Sequence, residues 1–142
     1  MKMNIRKSML CILMAISLAA CVGTQPKLDE IKFANYGKKP STDKMVLAVK
    51  NYMATRLIDP NSALYECSEP RKSWVLAGAG SEGNVNFNQV YYGYLSTCII
   101  NAKNRFGGYA GRKEYFFMIY PQNGGSALAH FDGFQSGGLV SE

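Results

Sequence analysis

Histidine occurs once in this chain, at position 130, so any dyad or triad built on imidazole has a single possible base, and the sequence shows no histidine-cysteine metal set. Asp132 and any serine could complete a triad with His130 only by accident of geometry. No Gly-x-Ser-x-Gly segment raises a serine on a nucleophile elbow. The glycine-rich stretch from Gly78 to Asn84 lacks the lysine-hydroxyl pair with which a phosphate loop holds its nucleotide. No Cys-x-x-Cys spacing offers a redox centre. No apolar run reaches the roughly twenty residues that a spanning helix needs. These absences predict a protein that is not an enzyme and that carries neither a metal nor a cofactor.

What is present starts at the amino terminus. Lys2, Arg6 and Lys7 precede an apolar run of about thirteen residues from Ser8 to Ala20, the order of a signal peptide. The run ends in Leu18-Ala19-Ala20-Cys21, which resembles a bacterial lipobox. That resemblance implies a diacylglycerol on the sulfur of Cys21, cleavage before it and acylation of the new terminus. More than one acyl chain anchors a protein durably, since each buried CH₂ is worth about 0.8 kcal/mol. By similarity to enteric lipoproteins, the absence of Asp at position 22, where Val22 stands, implies the outer membrane, with the inner membrane as the alternative.

The lipobox changes the remaining arithmetic. Three of the 16 basic residues precede Cys21, which leaves 13 against 10 acids, and a mild positive charge predicts no nucleic-acid partner. Cys11 leaves with the signal and Cys21 is blocked by lipid. Cys67 and Cys98 are then the only free thiols in an oxidising compartment, and they are expected to pair. The mature chain of about 120 residues makes one domain.

Residues 21–40, with Gly23, Pro26, Gly37 and Pro40 and no sustained apolar period, are expected to form a flexible tether behind the lipidated cysteine. Ser41-Thr42-Asp43 is an N-cap cluster, and Val46, Val49, Met53 and Leu57, with Met45 and Tyr52, recur at helical spacing until Asp59-Pro60-Asn61. Period two then takes over. Strands are predicted over Ala63 to Cys67, Trp74 to Ala77, Val90 to Ala102, Glu114 to Tyr120 and Ala127 to Phe131, with Pro70 marking a turn and Pro121 to Gly125 a hairpin. The expected fold class is therefore α+β: one N-terminal helix packed on an antiparallel sheet of four or five strands with one disulfide, spanning 41–132, followed by a flexible tail over 133–142.

Between the two strongest strands lies Asn101-Ala102-Lys103-Asn104-Arg105-Phe106-Gly107-Gly108-Tyr109-Ala110-Gly111-Arg112-Lys113. This segment, with Asp59-Pro60-Asn61-Ser62-Ala63 upstream, resembles small exported or lipidated proteins of proteobacteria, a family without an assigned activity. The resemblance therefore bears on architecture alone. Physically, the glycines permit positive φ, and Phe106 and Tyr109 either fold back on the sheet or face outward among Lys103, Arg105, Arg112 and Lys113. Aromatics ringed by cations bind anionic groups, glycan rings or a protein, which makes Arg105, Phe106, Tyr109, Arg112 and Lys113 the candidate partner-binding residues. The leading expectation is a membrane-anchored periplasmic protein that acts without catalysis as an interaction or accessory component of an envelope or secretion assembly. The alternative is a ligand-binding or inhibitor module for a glycan, a peptidoglycan fragment or a hydrolase.

Overall fold

The computed structural model describes residues 24–132 and 136–141, so the expected lipid site Cys21 and the segment before it lie outside the described residues. The chain runs through α1 (Leu28–Phe33), α2 (Thr42–Met53), β1 (Asp59–Cys67), β2 (Arg71–Leu76), β3 (Ser81–Glu82), β4 (Val90–Lys103), β5 (Lys113–Gln122), β6 (Gly125–Phe131) and β7 (Ser136–Leu139). The described residues are mostly sheet, 46% strand against 16% helix, and their seven antiparallel strands curl into a half-barrel. This corrects the expected α+β arrangement of one helix on four or five strands.

The strands that pattern reading missed carry no pattern to read. Ser81 and Glu82 of β3 pair with Phe131 and His130 from inside the glycine-rich connection. Residues 136–139, expected as a flexible tail, pair with β2 instead, Ser136 opposite Leu76 and Leu139 opposite Ser73. Ladder hydrogen bonds come from the backbone and need no apolar side chain. Gly138 even lets β7 lie against Trp74, since a Cβ there would stand 2.8 Å from the indole Nε1. Residues 24–40, expected as a tether, include α1 and bury Tyr36, whose hydroxyl donates to Ile31 O at 2.6 Å and whose ring meets Tyr92 edge-on at 5.7 Å.

Pro70 does not mark a turn. β1 and β2 run in the same direction along one edge of β4, with Cys67 opposite Cys98 and Arg71 opposite Leu95. Ser68, Glu69 and Pro70 therefore face only Ser96 and Thr97, which is a β-bulge. Proline has no N–H for a ladder, and hydroxyls supply the missing bonds. Thr97 N–H donates to Ser68 Oγ at 3.0 Å, and the buried Ser96 Oγ donates to Ser68 O at 2.7 Å.

Opposite the bulge, β4 changes its buried face. Tyr91 and Gly93 are buried on one side, then Ser96, Cys98, Ile100 and Ala102 on the other. The Val90 end joins a core of Val75, Met118, Tyr120, Ala129 and Phe131, which the curl of the sheet encloses. Near the Lys103 end, Cys98 and Ile100 pack with Phe117 beneath Met45, Val49 and Met53 of α2. Gly93 fits the curl because a Cβ there would come 2.4 Å from Ile119 O. Helix α2 begins as expected, with Lys44 N–H donating to the N-cap Ser41 Oγ at 3.3 Å, but it ends at Met53. Asp59 and Pro60 already belong to β1. The disulfide Cys67–Cys98 joins β1 to β4 at directly opposed positions, with Cα atoms 4.0 Å apart.

Candidate functional site

The loop from β4 to β5 is a built structure. Asn104 organises its tip: its N–H donates to Gly108 O at 2.8 Å, its carbonyl accepts from Gly107 at 3.0 Å, and its side-chain Oδ1 accepts from Phe106 N–H at 2.9 Å and Gly108 N–H at 3.3 Å. Asn101 Oδ1 takes Gly111 N–H at 3.1 Å, and Ala110 N–H returns to Ala102 O at 2.9 Å. Such local side-chain bonds compete with regular ladders and fix a turn. Gly107 and Gly111 have φ of 81° and 103°, the conformation for which glycine is suited.

The same loop is tied to the start of β1. Ser62 sits in an irregularity between Asp59 and Leu64, and its hydroxyl both donates to Asp59 O at 2.9 Å and accepts Lys103 N–H at 2.9 Å. Tyr109 OH donates to Ser62 O at 3.4 Å. The two segments that carry the resemblance, Asp59 to Ala63 and Asn101 to Gly111, thus touch each other. Their distance in sequence hides one joint.

The candidate residues divide into three groups. Phe106 is 83% exposed with the Arg105 guanidinium 5.0 Å from its ring centroid, and Tyr109 is 49% exposed with Lys103 Nζ at 5.7 Å. Phe106 faces outward, whereas Tyr109 lies half exposed with its hydroxyl turned back to Ser62. Arg112 is committed elsewhere: it grips Glu66 of β1 through two bonds of 2.9 and 2.6 Å, and that grip holds the Glu66 carboxyl below its ordinary range. Lys113, exposed at the start of β5, shares with Arg56 and Lys103 the border of a cleft of about 210 Å³ that also includes Ile58 and Tyr115. No acid lines that cleft among the described residues. It suits an anionic side chain beside an apolar one.

His130 lies elsewhere, among rings. Phe117 is 5.3 Å away, Tyr115 5.5 Å and Tyr52 6.1 Å between centroids. Burial holds its pKa below the usual value, against the opposing influence of Glu82 and Asp132. Tyr52 bonds Glu82, and Arg56 lies 3.6 Å over the Tyr52 ring while pairing with Glu82 at 3.2 Å. Burial first, and then the bond to Glu82, push the Tyr52 phenol well up. The group braces α2 against β3 and β6. Among the described residues no set of three or more His, Cys, Asp or Glu could hold a metal ion.

Sequence reasoning missed a second cleft, of about 410 Å³, at the other end of β4, where Asn84, Asn86 and Gln89 meet Gln122 and Asn123. The usable signal was the density of side-chain amides in two loops, which reads as turn chemistry when each loop is taken alone. In comparisons with known proteins no family model, no curated protein and no solved structure matches this chain.

Proposed function

We propose that this chain is a lipoprotein anchored through acylated Cys21, in the outer membrane and facing the periplasm, that works as a non-catalytic interaction component of an envelope or secretion assembly. Its contact surface is the β4–β5 loop. The observation that carries this reading is the combination of a backbone held by Asn101, Asn104 and Ser62 with an outward-facing Phe106 and a half-exposed Tyr109. A preorganised loop loses little entropy on binding, and exposed aromatics beside cations are the side chains from which binding hot spots are made. Among the described residues no helix is long and apolar enough to cross a membrane, and the proposed anchor does not need one.

Capture from membranes solubilised by detergent tests the contact. A stoichiometric protein partner is expected with the native chain and is expected to be lost in Phe106→Ala/Tyr109→Ala, while a photo-crosslinker at position 106 labels the same partner. Capture that is indifferent to both substitutions would refute the assigned surface. Metabolic labelling with palmitate, abolished by Cys21→Ser, is the expected result for the anchor. The ligand-binding alternative has one observation in its favour, the amide-lined cleft at the far end of β4.

A further inference from the structure

The cleft at the Val90 end of β4 is lined by four segments. The connection between α1 and α2 contributes Asn35, the loop after β3 contributes Asn84, Asn86 and Gln89, the start of β4 contributes Tyr92, and the end of β5 with the turn after it contributes Gln122 and Asn123. No charged side chain lines it among the described residues. Its volume of about 410 Å³ falls within the range of small-molecule sites, about 300–1,000 Å³.

Part of this lining is fixed from beneath. Tyr91 OH accepts the Asn86 N–H at 2.7 Å and donates to Gln89 Oε1 at 3.2 Å, and Asn86 Nδ2 donates to the same oxygen at 3.0 Å. Tyr120 OH donates to Asn84 O at 2.8 Å, and the two tyrosine rings meet edge-on at 5.1 Å. Two buried phenols therefore hold the 84–89 loop in place. The side-chain amides of Asn84, Gln122 and Asn123 have no protein hydrogen-bond partner among the described residues, so each offers a donor pair and an acceptor to whatever enters.

We propose that this cleft is a binding site for a neutral saccharide. Each hydroxyl of a sugar is both donor and acceptor, as each carboxamide is, so neighbouring hydroxyls can satisfy one amide from both of its ends. An anionic ligand would find no counter-charge in the lining and would leave its hydration uncompensated. An extended peptide would need a free strand edge for its backbone, whereas this cleft lies at strand ends and a turn. Tyr92, half-buried and edge-on to Tyr36, lines the cleft and adds an aromatic body with a polar tip beside which the apolar C–H face of a pyranose can lie. This inference gives the ligand-binding alternative its site and stands independently of the β4–β5 loop.

Titration of the isotopically labelled full chain with chitotriose and with cellotriose, in a detergent without a sugar headgroup, tests the proposal. Saturable shifts are expected in the side-chain amide signals of Asn84, Gln122 and Asn123, and Asn84→Ala/Gln122→Ala is expected to weaken binding about tenfold or more. Phe106→Ala/Tyr109→Ala should leave saccharide affinity unchanged, which separates this site from the loop contact. Absence of saturation by either trisaccharide up to about 10 mM, well above the affinities of useful sites, would overturn the proposal. So would shifts confined to other residues, or tighter binding of glucose 6-phosphate or tetra-alanine. The shift map uses the unaltered protein, so the test stays decisive even if the double variant fails to fold.

Discussion

At its Lys103 end β4 pairs with β1, is pinned to it by Cys67–Cys98, and buries Cys98 and Ile100 in the core beneath α2. At its Val90 end it pairs with β2 and buries Tyr91 on the opposite face, where the curl of the sheet closes over Val75, Met118 and Phe131. The loops differ in the same sense. The β4–β5 loop is held by asparagine side chains within its own backbone and turns cations and Phe106 outward, whereas the 84–89 loop is held by buried tyrosine hydroxyls and presents neutral amides. One strand thus carries two surfaces of different chemistry, because a bulge at Ser68–Pro70 lets its two halves bury opposite faces.

Removing the disulfide is the strongest way to break this comparison. Cys67→Ala/Cys98→Ala opens a loop whose ends are 31 residues apart and should cost about 3–4 kcal/mol of unfolding free energy in urea. Hydrogen exchange in the variant should rise first in β1 and the β4–β5 loop. Equal loosening of β2 and β7 would show that the two halves are not separable.

Gly93→Ala strikes the other half. A Cβ 2.4 Å from Ile119 O forces β4 away from β5 near the curl and should destabilise by about 1–3 kcal/mol, measured by the same urea titration. The cost should leave the Phe106 and Tyr109 environment unchanged in NMR spectra.

Tyr91→Phe sharpens the comparison with little change in volume. Losing the hydroxyl that accepts Asn86 N–H and donates to Gln89 should cost about 1 kcal/mol. Amide exchange should quicken across 84–89 and stay constant across 103–111.

The smallest expected effect is a slope. Because burial holds the His130 pKa below its usual 6.5, the unfolded chain takes up the proton first as pH falls through that value. The stability that the neutral ring contributes is present above about pH 6.5 and is lost on acidification below it. Thermal melts between pH 7 and pH 5 should show this loss, and His130→Phe should flatten it.

Much of this was readable before folding. Val90 to Ala102 and Glu114 to Tyr120 alternate or run apolar because each buries side chains, and their assignment as strands needed only period two. The N-cap at Ser41 and the pairing of Cys67 with Cys98 likewise follow from local chemistry and from counting. Residues 81–82 and 136–139 escaped because they join the sheet through backbone bonds alone. Pro70 reads as a turn until its neighbours are seen to continue along the same strand.

By itself, the sequence determined the two long strands, where α2 begins, that Cys67 pairs with Cys98, and that Phe106 and Tyr109 stand among cations. Only the tertiary structure decided that the sheet curls through seven strands, that Arg112 is spent on Glu66, and that amides from two distant loops share one cleft. The reason is physical. Periodicity records the faces a segment buries, whereas a strand added by backbone bonds, an ion pair across strands, or a cleft between loops depends on partners that no local pattern names.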